Sequence, residues 1–202
     1  MRATLHASVA ATLLLALAAP VLAAENTSEK VSYSTYRERD GNVSLFVDGF
    51  LASQHEKDAY IPVPVAVGML GGGPAFTVTP ASFVLVDADG KRYPAADYAT
   101  LRRDYTHQLF DRAVLRDRPL VVGLPYSDLF YVRSNFFPPP GRGLRIDQVS
   151  IGPSSWFTDV LYFPRPARLD GTLTLEMSAD GREGTLSTRF AVPVSASRTT
   201  KG

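Results

Sequence analysis

The chain has 202 residues, 21 Lys plus Arg against 20 Asp plus Glu, and no Cys. The absent Cys excludes a thiol nucleophile, a thiolate metal site and an iron–sulfur cluster. The near-balanced charge gives no electrostatic case for nucleic acid or for an anionic membrane surface.

The first 24 residues have the layout of a secretory signal peptide. Arg2 is a short basic start, Val9 to Ala19 is an apolar run, and Val21-Leu22-Ala23-Ala24 offers small residues for cleavage. The run is shorter than the ~20 apolar residues a transmembrane helix needs, so no membrane span is expected in the mature chain. The expected compartment is exported, periplasmic or extracellular. A mature chain of this size can hold itself together by its core without disulfides, and one domain from 31 to 194 is the natural reading. Residues 25–30 are expected as a flexible lead-in and 195–202 as a disordered tail.

Strand patterns dominate the mature chain. Val31 to Arg39 and Val43 to Val47 flank Asp40-Gly41, a hairpin signal. Ala59 to Met69 sets Ile61, Val63, Val65 and Val67 on one face, and Pro62 and Pro64 on the other predict an edge strand or a strand entered through an irregular edge, because proline lacks the ladder donor. Gly71-Gly72-Gly73-Pro74 reads as a loop; no Lys-Ser/Thr pair succeeds it to make it a phosphate cradle. Phe76 to Val86 is expected as one core strand. Asp87-Ala88-Asp89-Gly90 closes it as a tight turn, since the distal Glu of a calcium loop is missing.

The run Phe76-Thr77-Val78-x-Pro80-x-Ser82-Phe83-x-Leu85-Val86-Asp87-x-Asp89-Gly90-x-x-Tyr93-Pro94 resembles a local pattern in secreted bacterial immunoglobulin-like β-sandwich domains of uncharacterised function. The resemblance implies a fold and carries no functional residue with it.

Tyr98, Leu101, Tyr105 and Leu109 fall on one helical face behind Asp97 as a cap, which predicts one short helical insertion. Its basic residues alternate with Asp104, Asp111 and Asp117, the pattern of a solvated, salt-bridged surface. Thr172 to Met177 and Thr185 to Val192 alternate as two further strands around Asp180-Gly181. The expected fold is therefore all-β, an immunoglobulin-like β-sandwich of about seven to nine strands with one short helical insertion.

The segment from Tyr126 to Arg168 holds nine of the aromatic residues and the only Trp. Phe136-Phe137, Trp156-Phe157 and Tyr162-Phe163 are adjacent pairs, and neighbours on a strand face opposite ways. Alternation allows one member of each pair in the core and the other on display, where Phe136, Phe137, Trp156 and Phe157 with Arg133, Arg142 and Arg165 would bind a protein or glycan partner. The competing reading makes both members rigid corners of the core, as most aromatic clusters are.

Catalytic signatures are scarce. No Gly-x-Ser-x-Gly elbow occurs. A polysaccharide hydrolase would need a carboxylate pair from Asp128, Asp147 and Asp159, each of which also reads as a turn, cap or salt-bridge residue. Outside the signal segment the histidines are His55 and His107, without helical metal-ligand spacing, and both are expected as surface or capping residues. No catalytic residue, no metal site and no cofactor is expected, and the function expected is that of a non-enzymatic, envelope-associated or partner-binding module.

Overall fold

The computed structural model of the chain describes residues 28–120, 129–169 and 171–193. The signal segment, the tail and Asp128 lie outside these residues. The described chain is mostly β, with twelve strands and three short helices.

Strand β1 (Glu29–Lys30) pairs with β2 (Thr35–Asp40), so the lead-in expected through Lys30 ends in a short strand. β2 turns into β3 (Val43–Asp48) with Asp40 opposite Val43. Gly41 has φ +59, a conformation glycine adopts without strain, so the hairpin forms where Asp-Gly pointed. After β3 the chain makes helix α1 (Phe50–Gln54) and enters β4 (Tyr60–Met69).

Of the two placements its prolines allowed, β4 is not an edge strand but one whose proline end is open on one side. Val65–Met69 pairs with β3, and the whole strand pairs with β10 (Ser155–Pro164). Pro62 and Pro64 fall beyond the end of β3, where β4 is laddered on one side only, and there a missing donor leaves no gap in the sheet.

The expected single strand from Phe76 to Val86 is broken. β5 (Phe76–Val78) stops at a one-turn 3₁₀ helix, Pro80–Ser82, and β6 (Phe83–Val86) begins directly after it. Ser82 Oγ accepts from Thr79 N, and Ser82 N donates to Thr79 O, so the Thr-Pro-Ala-Ser sequence closes on itself. The break sends the chain from one sheet to another. β5 pairs with β9 (Val149–Ile151), whereas β6 pairs with β7 (Arg92–Pro94) and with β11 (Thr172–Met177).

The single helix expected after β7 is two helices. α2 (Tyr98–Asp104) starts at the Asp97 cap, whose Oδ1 accepts from Thr100 N at 2.9 Å. It ends at Tyr105 in extended conformation, and α3 (Gln108–Asp117) begins anew. The break takes Leu109 off the stripe: Leu101 and Tyr105 are buried, but Leu109 is 51% exposed. Arg103–Asp104 and Arg116–Asp117 form the solvated pairs the charge pattern predicted. Asp111 departs from that pattern and is wholly buried.

The strands form a six-stranded sheet in the order β1-β2-β3-β4-β10-β8, with β8 at Phe130–Tyr131. A four-stranded sheet in the order β12-β11-β6-β7 has β12 at Leu186–Ala191, and β5 and β9 form a separate pair. β12 lies against β2 and β3, and one core takes Leu45, Val65, Phe83, Phe157, Leu175 and Phe190 from both large sheets. Each such side chain contributes about 1.5–3 kcal/mol on leaving water. A second small core, Phe46, Ala66 and Leu120, covers the other face of β3 and β4. Among the described residues no helix is long and apolar enough to cross a membrane.

Candidate functional site

β10 carries two of the aromatic pairs, Trp156-Phe157 and Tyr162-Phe163, and Phe136-Phe137 packs on it from the segment before β9. Ala96 N donates to Tyr162 O at 2.7 Å, and Tyr162 packs on Tyr105 from above and on Phe137 beside it, with ring centroids at 5.2 and 5.4 Å. Phe157 meets Phe136 edge-on at 5.9 Å. Phe136, Phe137, Phe157, Tyr162 and Phe163 are all buried. The reading that displays one member of each pair therefore fails for Phe136-Phe137 and Tyr162-Phe163. From Asp159 to Phe163 the strand is buried on both faces; its start, at Trp156 and Thr158, is partly open.

The seven residues expected as a binding surface do not assemble. Of the aromatics, Trp156 alone reaches the surface, being partly buried. Arg133, Arg142 and Arg165 are exposed. Arg142 belongs to a turn in which its N–H donates to Pro139 O, and Arg165 lies just past the far end of β10, about 30 Å along the strand from Trp156 at 3.3 Å per residue. Arg133 stays near, two residues after Tyr131.

Around Trp156 a different set is brought together. β8 runs parallel to the start of β10, with Phe130 N donating to Ser154 O and Val132 N to Trp156 O. This pairing sets Tyr131 edge-on to Trp156, centroids 5.2 Å apart and planes at 67°. The two rings and Arg112, Leu115, Arg116 and Leu120 line a groove of about 290 Å³. Tyr131 is 54% exposed as a residue, but desolvation of its hydroxyl, and after it the negative charge of Asp159, pushes its pKa up from the ordinary value. Arg112 is engaged by Asp159 at 2.7 Å and Arg116 by Asp117 at 3.0 Å. The groove thus presents ring surface and N–H groups with little net charge.

Asp159 is wholly buried, where it accepts from Phe136 N at 2.9 Å and Val160 N at 2.8 Å. The β8 ladder ends at Trp156, and the Asp159 side chain takes over the donors of the open edge beyond it. Asp147 is exposed against Arg145 at 2.7 Å. A sealed carboxylate and a solvated one do not make the pair a glycosidase needs.

A second cluster sits where α1, α3 and the loop before β4 converge. His55 caps the C-terminus of α1, and Asp58 N donates back to His55 O, which returns the Asp58 side chain to the ring. His55 Nδ1 lies 2.7 Å from Asp58 Oδ2, and His55 Nε2 lies 3.0 Å from Asp111 Oδ1. The other Asp111 oxygen accepts from Tyr105 O–H at 2.9 Å. His107, at the N-terminus of α3, packs its ring 5.2 Å from that of His55, with Nε2 3.8 Å from Asp58 Oδ2. Burial disfavours the His55 imidazolium, but hydrogen bonds to Asp111 and Asp58 outweigh it and raise the pKa. Burial, and then the Asp111 charge, raises Tyr105 far above the ordinary phenol value. A cavity of about 430 Å³ opens beside His55, Glu56, Lys57, Asp58 and His107.

Both histidines stand at helix caps, as the sequence suggested, His55 at the end of α1 and His107 at the start of α3, but their rings also meet. Their convergence has no local spacing to reveal it; the readable trace is Asp111 falling on the inward face of a helix that restarts at Gln108.

No family model and no curated protein matches the chain. Among solved structures, the chain is similar to the yjhA protein from Bacillus subtilis, with a TM-score of 0.37 and 12% identity over 73% of this chain and 82% of that one.

Proposed function

We propose that this protein is an exported, non-enzymatic module with an immunoglobulin-like β-sandwich fold that binds a glycan in the Trp156–Tyr131 groove. The observation that carries the reading is the edge-on ring pair bordered by two arginines already neutralised by Asp159 and Asp117. Ring faces take up the C–H surface of a sugar, and guanidinium N–H groups donate to hydroxyls. A groove of low net charge suits a hydroxyl-rich ligand better than a strongly anionic one. Export rests on the basic start and short apolar run of the first 24 residues. The shared core of the two large sheets and the strand-and-turn pattern from Phe76 to Pro94 support the sandwich reading.

Trp156 is the only tryptophan, so its fluorescence reports on this groove alone. Titration with neutral and acidic oligosaccharides should shift the emission saturably with a neutral glycan. Tyr131→Ala should weaken binding about tenfold, which is ~1.4 kcal/mol. No response to any oligosaccharide, a response confined to peptides, or unchanged affinity in Tyr131→Ala would each overturn the glycan reading.

A further inference from the structure

We infer that His55 Nδ1, Asp58 and His107 Nε2 form a binding site for a divalent cation of the zinc class. One ligand atom from each residue lies within 4.8 Å of the others. In a tetrahedral site with bonds of about 2.0–2.1 Å, donor atoms stand roughly 3.4 Å apart. The separations of 2.7 Å from His55 Nδ1 to Asp58 Oδ2 and 3.8 Å from His107 Nε2 to the same oxygen bracket that value. Side-chain adjustments of well under an ångström to about one ångström would convert the cluster into a ligand set.

A second, independent observation lies behind the ring. Metal-binding histidines commonly donate their remote N–H to a carboxylate, which fixes the tautomer and leaves the other nitrogen free to ligate. Asp111 Oδ1 lies 3.0 Å from His55 Nε2 and Asp111 is 0% exposed, and neither of these two buried atoms has a hydrogen-bond partner among the described residues. Tyr105 O–H holds its second oxygen. A sealed carboxylate aimed at one nitrogen of a histidine, whose other nitrogen faces a carboxylate and a second histidine, is the layout of a carboxylate–histidine–metal relay.

The donor set selects the ion. Two imidazoles and one carboxylate suit zinc and its transition-metal neighbours, whereas calcium takes six to eight oxygens and magnesium an oxygen octahedron. Three protein ligands leave a fourth position, and the cavity beside Glu56 and Lys57 gives it access to solvent. The site is therefore of the open, exchangeable kind. The site uses none of the groove residues, so it stands or falls apart from glycan binding.

The test is calorimetry on full-length chain without a polyhistidine tag, stripped with chelator and titrated with zinc chloride, with calcium chloride as control. One zinc per chain and no calcium response are expected. His107→Ala removes a half-exposed side chain at 53% and should leave the metal-free melting temperature unchanged while weakening zinc at least tenfold. Asp58→Asn should do the same, and Asp111→Asn should weaken zinc about 10–100-fold without touching the ion. Zinc should raise the melting temperature of the parent chain and not that of His107→Ala. Cobalt in place of zinc should give the intense visible absorption of a four-coordinate site. Absence of saturable zinc binding, or zinc binding that His107→Ala leaves intact, would overturn the inference.

Discussion

Arg112 Nη2 donates to Asp159 Oδ1 at 2.7 Å across the boundary between α3 and β10, and it is the sole cation paired with a wholly buried carboxylate among the described ion pairs of Arg and Lys. The pair ties the helical insertion to the strand that carries the aromatic core. Removing one partner of a buried pair is worse than removing both, because the survivor stays charged without compensation.

Arg112→Ala should therefore lower stability by about 3 kcal/mol in urea denaturation, and adding Asp159→Asn should recover part of the loss. The pH dependence has a definite sign. Burial already raises the Asp159 carboxyl above 3.8, and losing the guanidinium raises it further. A group whose folded pKa is raised binds its proton more tightly in the folded state, so the folded variant is relatively favoured in acid. The deficit of Arg112→Ala should be largest at neutral pH and should shrink as pH falls toward the ordinary carboxyl value. A pH-independent deficit would mean that packing, not the buried charge, sets it.

Gly49 and Gly41 are required for opposite reasons. A Cβ on Gly49 would stand 2.4 Å from Ala191 O, although its φ of −85 suits any residue. A Cβ on Gly41 would meet nothing within 4 Å, but its φ is +59. Gly49→Ala should cost about 1–3 kcal/mol by overpacking β12 against the α1 corner, and Gly41→Ala about 1–2 kcal/mol by backbone strain. Asn separates the two causes, since it tolerates the left-handed region yet is larger. Gly41→Asn should melt higher than Gly41→Ala, and Gly49→Asn lower than Gly49→Ala.

Asp48 is the corner of the same region. Its carboxylate accepts from Ser34 Oγ at 3.1 Å, Thr35 Oγ1 at 2.8 Å and Phe50 N at 2.6 Å, all within a buried setting. Asp48→Ala leaves those donors without their acceptor and should cost about 3 kcal/mol. Asp48→Asn keeps one acceptor oxygen and should cost less. Equal losses in the two variants would show that the bonds to Ser34 and Thr35 contribute little.

The Asp87 turn is held by its own side chain. The carboxylate accepts from Tyr93 O–H, Asp89 N and Lys91 N, and the Tyr93 hydroxyl is the main influence holding its pKa below the ordinary value. A depressed carboxyl contributes stability above the unfolded pKa and loses it as pH falls through the folded one. The melting-temperature gap between the parent chain and Asp87→Asn should be present at neutral pH and close in acid. Millimolar calcium should leave both melting temperatures unmoved, because the oxygens already have donors.

Local pattern carried much of the fold. The Gly41 hairpin, the Asp97 cap, the Asp87 turn and the alternation of β11 and β12 were legible because each depends on residues within a few positions of one another. The coarse architecture of a mostly β chain came from them. The breaks were harder to see: Thr79 to Ser82 divides one apolar run between two sheets, and Tyr105 to His107 divides one helical stripe between two helices. Both are short polar closures that a longer periodicity conceals.

What the sequence by itself determined was the set of segments able to bury a face, the absence of thiol chemistry, and the places where the chain must turn. Tertiary structure alone decided how many faces each segment buries and which distant polar groups meet. Phe136-Phe137 and Tyr162-Phe163 read either as half-displayed or as corners of the core, and the packing of Phe137 and Tyr105 on Tyr162 decided for the core. His55 and His107 read as unrelated until the restart at Gln108 drove Asp111 inward beneath them. Periodicity records the geometry of one element, whereas burial and juxtaposition depend on what another element, far away in the chain, is packed against it.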